Sequence, residues 1–175
     1  MTQEHQRVAV SRLNDMLQEE FVAVVGQVFE HAPWVAANAW SNRPFDTLDH
    51  LHETMLQTLK DANREDQLKF LRRHTDMQVT PELISNMQSS SQEKSSAASP
   101  DKFTDDDRQR IAALVSAYQT RFGFPFIAAI QGRSVTDILG LVEQHLGNDS
   151  TDMELYFTFS EVGKITRIRL EQLAV

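Results

Sequence analysis

The sequence predicts an all-α fold, a compact single-domain helical bundle of about seven to nine helices. Apolar residues recur at helical spacing along most of the chain, and no run alternates as a half-buried strand would. Two helix starts carry strong capping signals, at Thr104 and Ser134. Phe21, Val24, Val25 and Val28 open the series on one helix face. Leu48, Leu51, Met55 and Leu59 trace a second stripe, introduced by Asp46 or Thr47 as cap. Leu68 and Leu71 mark a shorter helix that ends near Arg73 and His74. Thr104 followed by Asp105, Asp106 and Asp107 places acid at the positive end of the next helix, which turns Ile111, Leu114, Val115 and Tyr118 to one side. Ser134 caps a helix carrying Ile138, Leu141, Val142 and His145. The last helix runs from about Asp152 to Gln172, with Leu155, Phe159, Val162 and Ile165 inward.

Composition narrows the function classes. With 175 residues and 41% hydrophobic content, the chain is expected to close around one main core. No segment reaches membrane-spanning length, and Met1–Val10 lacks the apolar stretch of a secretory signal. The absence of cysteine removes disulfides, thiolate metal sites and cysteine nucleophiles together. Asn148-Asp149-Ser150 is then a chance sequon. A net charge of −8 argues against nucleic acid or an anionic membrane as partner, while allowing a small anion in a local cationic pocket. The closing Leu173-Ala174-Val175 is not a peroxisomal tail, so the expected location is cytoplasmic.

Two segments depart from the helical pattern. In Arg121-Phe122-Gly123-Phe124-Pro125-Phe126-Ile127-Ala128-Ala129-Ile130, nine of the ten residues are apolar, Gly or Pro. Gly123 and Pro125 forbid a regular helix, so an irregular buried backbone is expected there. Its N–H and C=O groups need partners, and a polar ligand can supply them, which makes this strip a candidate pocket wall. From Asn86 to Lys102 the chain is serine-rich and nearly free of large apolar groups. It reads either as a flexible connector or as an ordered loop over a pocket.

Few polar residues stand out. His74 closes a helix in Leu71-Arg72-Arg73-His74-Thr75-Asp76, where a histidine is commonly a partner of the helix dipole. His50 and His52 lie two apart and face different directions, so they do not form a metal pair, and solvent exposure is expected for both. His31 and His145 have no partner at ligand spacing, and no HExxH, Walker, GxGxxG or GxSxG motif occurs. Arg169 follows Val162 by seven residues and Ile165 by four, which puts it on the apolar stripe of the last helix; Arg167 faces water. An inward arginine requires an acid or a ligand, and its planar fork suits a carboxylate, a urea-like carbonyl or a phosphate.

Several stretches combine distinctively: Phe29-Glu30-His31-Ala32-Pro33-Trp34-Val35-Ala36, Ala39-Trp40, Arg43-Pro44-Phe45, Arg64-Glu65-Asp66-Gln67-Leu68, the Arg73–Asp76 corner, Arg121–Phe126 and Ile165-Thr166-Arg167-Ile168-Arg169-Leu170. Over nearly its full length the chain resembles the 2-oxo-4-hydroxy-4-carboxy-5-ureidoimidazoline (OHCU) decarboxylases, which close the urate-to-allantoin route. The resemblance implies a cofactor-independent carboxy-lyase, all-α and homodimeric, whose small-molecule ureidoimidazoline substrate yields (S)-allantoin and CO2. Cofactors, metals, nucleic acid and membrane have no part in it. By this resemblance His74 matches the catalytic histidine and transfers a proton. Glu93 matches the glutamate of a Ser-x-x-Glu-Gln loop and orients the substrate's hydroxyl or ureido group. Arg169 matches the arginine that clamps a carbonyl or carboxylate. Thr75, Ser90, Ser91, Gln92 and Lys94, with the backbone of Phe126, Ile127, Ala128, Ala129 and Ile130, would line the substrate. The sequence departs from the family at Thr75, where proline is usual, at Lys94, where glutamine is usual, and in the loop from Met77 to Gln88. These departures motivate an alternative, a catalytically impaired helical protein that binds allantoin-like ureides. A helical protein adaptor ranks last, because the apolar stripes are consumed by one core.

Overall fold

A computed structural model describes residues 7–92 and 102–175, with backbone alone at 90–92. The described residues form nine α-helices and no strand, as the sequence predicts. In order these are α1 (Val10–Asp15), α2 (Gln18–Val25), α3 (Pro33–Ala39), α4 (Leu48–Lys60), α5 (Arg64–Arg73), α6 (Pro81–Gln92), α7 (Asp105–Phe122), α8 (Val135–Leu146) and α9 (Thr151–Leu173). Short 3-10 turns occupy Gly26–Phe29, Trp40–Asn42 and Thr75–Met77. The chain divides into two compact units, Met1–His74 with Gly163–Val175, and Thr75–Val162.

The first unit buries Leu13, Phe21, Val25, Val35, Leu51, Met55, Leu59, Leu71 and Leu170. The face expected from Phe21 to Val28 is not one α-helix: α2 stops at Val25 and a 3-10 turn carries Val28 and Phe29 into the core. Thr47, not Asp46, caps α4, its hydroxyl accepting from the N–H of His50 at 3.1 Å. Arg43 ties the turn before α4 to α1, donating to the carbonyls of Asn14 and Trp40 at 2.6 and 2.9 Å while stacking on the Trp40 ring. Residues near the two ends pair in parallel: Val8 N–H donates to Leu173 O, and Val175 N–H to Val8 O, both at 2.9 Å.

In the second unit Tyr118, Phe122, Phe124 and Phe126 form one aromatic cluster, with Tyr118 lying 4.7, 5.9 and 5.0 Å from the other three rings in that order. Ile111, Ile138, Val142, Leu155 and Val162 are buried in the same unit. Helix α6 extends to Gln92, so Asn86–Gln92 are helical where a connector or loop was expected. Hydroxyls of Ser85 and Ser89 donate to the carbonyls four residues back, at 2.9 and 3.1 Å, and so fit within the helix.

Capping boxes close both predicted starts. The Thr104 hydroxyl accepts from Asp107 N–H at 3.1 Å, and the Asp107 carboxylate accepts from Thr104 N–H at 3.0 Å. Ser134 and Asp137 repeat the arrangement at α8. The hydrogen bonds from the Thr104 hydroxyl and N–H hold the Asp107 carboxyl below its ordinary 3.8. Thr104→Ala is expected to destabilise the protein by about 1 kcal/mol, read as a lower urea midpoint at unchanged m-value.

Candidate active site

Helix α5 is built to end at His74. Asn63 caps its start, accepting from Asp66 N–H at 2.9 Å; Glu65 and Asp66 sit in its first turn, and Arg72 and Arg73 in its last. His74 leaves helical geometry as the C-cap, at φ −86° and ψ 69°. Its N–H donates to Phe70 O at 3.3 Å, and its ring Nδ1 meets the same carbonyl at 2.7 Å. A carbonyl only accepts, so Nδ1 carries hydrogen and Nε2 is the basic nitrogen of the neutral ring. The imidazole is wholly buried, lies over the Phe70 ring with centroids 3.9 Å apart, and meets the His31 ring edge-on at 5.8 Å. His31 itself holds a left-handed backbone, φ 59°, which histidine tolerates better than most residues.

Arg169 belongs to the same unit, half-buried on the last turns of α9. One turn before it, Thr166 is buried and meets His52 Nε2 at 3.0 Å, so His52 is buried, 7% exposed, rather than solvent-facing as expected. The Thr166 hydroxyl donates to Gly163 O at 3.3 Å, which makes His52 the donor in their contact. Burial first, and the Arg167 charge second, lower the His52 pKa below 6.5. Arg167 does not face water freely either. It reaches Asp49 on α4 at 2.6 Å and Glu171 at 3.3 Å, with 28% of its side chain exposed. Gly163 lets Leu56 of α4 approach so closely that a Cβ would lie 2.9 Å from its Cδ2.

The strip after α7 lies in the second unit. Gly123 ends α7 at φ 81°, the left-handed geometry that breaks the helix before Pro125. Phe124, Phe126, Ile127, Ala128 and Ile130 are at most 3% exposed, and Ala129 alone among residues 124–130 reaches the surface. Much of the strip's backbone is committed to protein partners. Phe126 O accepts from Val79 N–H at 2.9 Å, and Ala129 N–H donates to the Glu161 carboxylate at 2.8 Å. Ala129 O accepts from Arg133 Nε at 3.2 Å, and Ile130 O from Arg133 N–H at 3.1 Å. A cavity of about 220 Å³ beside Phe126 is lined by Gln78, Thr80, Ser116 and Gln119 among others, with amide and hydroxyl groups and no charge.

Thr75 is exposed at the start of its 3-10 turn. The backbone of Ser90, Ser91 and Gln92 forms the last turn of α6, and Glu93 and Lys94 lie outside the described residues. Among the described residues no three imidazole or carboxylate groups cluster as metal ligands would. None of their helices is long and apolar enough to cross a membrane.

Sequence reasoning missed the buried polar residues of α9. Glu154 is fully buried and accepts from the Tyr118 hydroxyl at 2.7 Å and from Asn148 at 2.8 Å, with His145 Nδ1 at 2.9 Å. Burial, then the bond to Glu154, push the Tyr118 hydroxyl far above its ordinary pKa. His145, which has no partner at metal-ligand spacing, thus pairs with a carboxylate, and it stacks on Phe157 at 3.7 Å. Glu154, Thr158 and Glu161 sit at helical spacing beside Leu155, Phe159 and Val162, and that polar stripe was the available signal.

A profile of the OHCU decarboxylase family matches residues 14–171. A 2-oxo-4-hydroxy-4-carboxy-5-ureidoimidazoline decarboxylase of Halalkalicoccus jeotgali is 36% identical over 169 residues, spanning 97% of this chain and 93% of the relative. One of Haloferax volcanii is 33% identical over 163 residues, spanning 93% and 92%. Among solved structures, an (S)-allantoin synthase superposes with a TM-score of 0.73 over 96% of this chain and 54% of that one, at 21% identity. An OHCU decarboxylase in the presence of (S)-allantoin gives 0.60 over 80% and 89%, also at 21% identity. These two establish likeness of fold.

The lowered His52 pKa has a sign. Below pH 6.5 the unfolded chain takes a proton that the folded chain refuses, so stability falls as pH drops from 6.5 toward the folded value. Melting curves from about pH 7 to about pH 5 should show a smaller loss in Tm for His52→Gln than for the wild type.

Proposed function

The chain belongs to the OHCU decarboxylase family, and we infer from this that it converts OHCU to (S)-allantoin and CO2 in urate degradation. The observation that carries the reading furthest is the family match across residues 14–171, which spans both His74 and Arg169. Heterolysis of the C–CO2 bond releases an electron pair that the adjacent C=N carbon and nitrogen can accept. The substrate thus supplies its own electron sink. CO2 leaves, the former C=N carbon gains hydrogen on one face, the ring nitrogen gains another, and the hydroxyl becomes a carbonyl. The hydroxyl provides one of these two hydrogens, so each turnover consumes one proton.

In this reading His74 moves that proton through Nε2, because Nδ1 is held by the Phe70 carbonyl. Arg169 binds a carboxylate or ureide oxygen in its planar fork, neutralising charge that shifts as the bond breaks. Glu93 orients the hydroxyl or ureido group, Ser90, Ser91, Gln92, Lys94 and Thr75 add contacts, and the Phe126–Ile130 strip shapes the wall. Delivering hydrogen to a single face accounts for one enantiomer. We also propose that the protein is a homodimer acting in the cytoplasm. Sedimentation velocity should then give a species of twice the 20.0 kDa chain mass; a monomer at micromolar concentration would remove the dimer.

Generating OHCU in situ from urate and following optical rotation tests the activity. The wild type is expected to give optically active allantoin faster than spontaneous decay, which is racemic. His74→Asn should lose both the acceleration and the optical activity with an unchanged circular dichroism spectrum. Full activity in that variant would remove His74 from the chemistry. Tight allantoin binding by a wild type that yields only racemic product would instead favour a ureide-binding protein, the reading that Thr75 and Lys94 prompt.

A further inference from the structure

We propose that Glu161 is a positioning residue for the substrate wall, its buried carboxylate fixing the Ala129 peptide so that the Phe126–Ile130 strip presents one shape to the ligand. The proposal rests on the functional reading above, because it takes that strip as the surface the substrate meets. Glu161 is 2% exposed and accepts from Ala129 N–H at 2.8 Å. A carboxylate is a costly group to bury and must be met by donors, of which the Ala129 amide is one. What the charge adds is a bond about twice as strong as a neutral one, holding the peptide plane more tightly.

The following peptide, Ala129–Ile130, is held as well. Ala129 O accepts from Arg133 Nε at 3.2 Å, and Gly132, at φ 80°, turns the chain so that Arg133 N–H also reaches Ile130 O at 3.1 Å. Ala129 is therefore held at both its N–H and its C=O. It is also the one residue of 124–130 that is not buried, and so the part of the strip open to solvent.

Helix α9 supports the strip a second time. Glu154, two turns before Glu161, binds Tyr118 and His145, whose rings lie 5.0 and 6.0 Å from Phe126. Two buried carboxylates on one helix thus brace the two ends of a segment that has no secondary structure of its own. Neither needs to touch the substrate.

The experiment pairs Glu161→Gln with Glu161→Ala and reads two quantities: hydrogen exchange of the Ala129 amide by NMR, and steady-state kinetics on OHCU generated in situ. The glutamine keeps shape and an acceptor but loses charge, so Ala129 exchange should quicken about tenfold and KM rise about fivefold, with kcat within about twofold. Alanine removes the acceptor, and both effects should exceed those of glutamine. A folded Glu161→Gln or Glu161→Ala protein with wild-type KM overturns the proposal, even if its Tm falls, because Glu161 would then be merely structural. Unchanged Ala129 exchange overturns it as well. Should the alanine variant fail to fold, the glutamine variant decides. A wild type that returns only racemic allantoin at the spontaneous rate refutes the functional reading instead, and Ala129 exchange then judges the positional claim alone.

Discussion

Burying a carboxylate in a helical protein obliges the rest of the chain to bring it donors, and α9 imposes that obligation at both Glu154 and Glu161. Around Glu154 the requirement is met by Tyr118 from α7, His145 from α8 and Asn148 from the turn between α8 and α9. Three separate elements are drawn to one pair of oxygens, and the aromatic rings that come with them form much of the second unit's core. Around Glu161 an amide of the irregular strip is one of the donors. The apolar residues beside them contribute burial, but hydrophobic contact has no direction. The carboxylates add what burial cannot, a fixed orientation for their partners.

The first unit answers a similar demand with other chemistry. On α9 Thr166 meets an imidazole from α4, and Arg167 meets carboxylates at Asp49 and Glu171. His52 stays neutral because burial and Arg167 both oppose its protonation. Its hydrogen bond to Thr166 therefore joins two uncharged groups. Arg167 and Arg169 remain half-buried, where water can share in their solvation.

Local chemistry was legible in the sequence, and cross-chain chemistry was not. The caps at Thr104 and Ser134 depend on residues three apart, and both starts are where the sequence puts them. The helix break at Gly123 follows from glycine and proline alone. By contrast, His50 and His52 could be separated only by knowing which flank of α4 meets Thr166, a residue 114 positions away. Arg167 shares its side with Gly163 and Lys164, which points it to water, and its partner Asp49 is remote in sequence. Glu154 and Glu161 have the spacing of a solvated face, and only partners 36 and 32 positions away reveal that they are buried. Helix α6 outran expectation for a different reason: serine composition suggests a connector, yet hydroxyls bonding to carbonyls one turn back are at home in a helix. Of the expected site, His74, Arg169 and the strip have defined surroundings, whereas Glu93 and Lys94 fall beyond the described residues.

The bond from His74 Nδ1 to the Phe70 carbonyl has one more consequence. That oxygen accepts a hydrogen from Nδ1 whether the ring is neutral or cationic, since Nδ1 is protonated in both. Gaining or losing a charge at Nε2 therefore demands no flip of the imidazole and no new partner for the opposite nitrogen. The ring lies tilted over Phe70, and Nδ1 keeps the same partner in either state. In the proton transfer proposed for His74, one pose would serve both halves of the cycle.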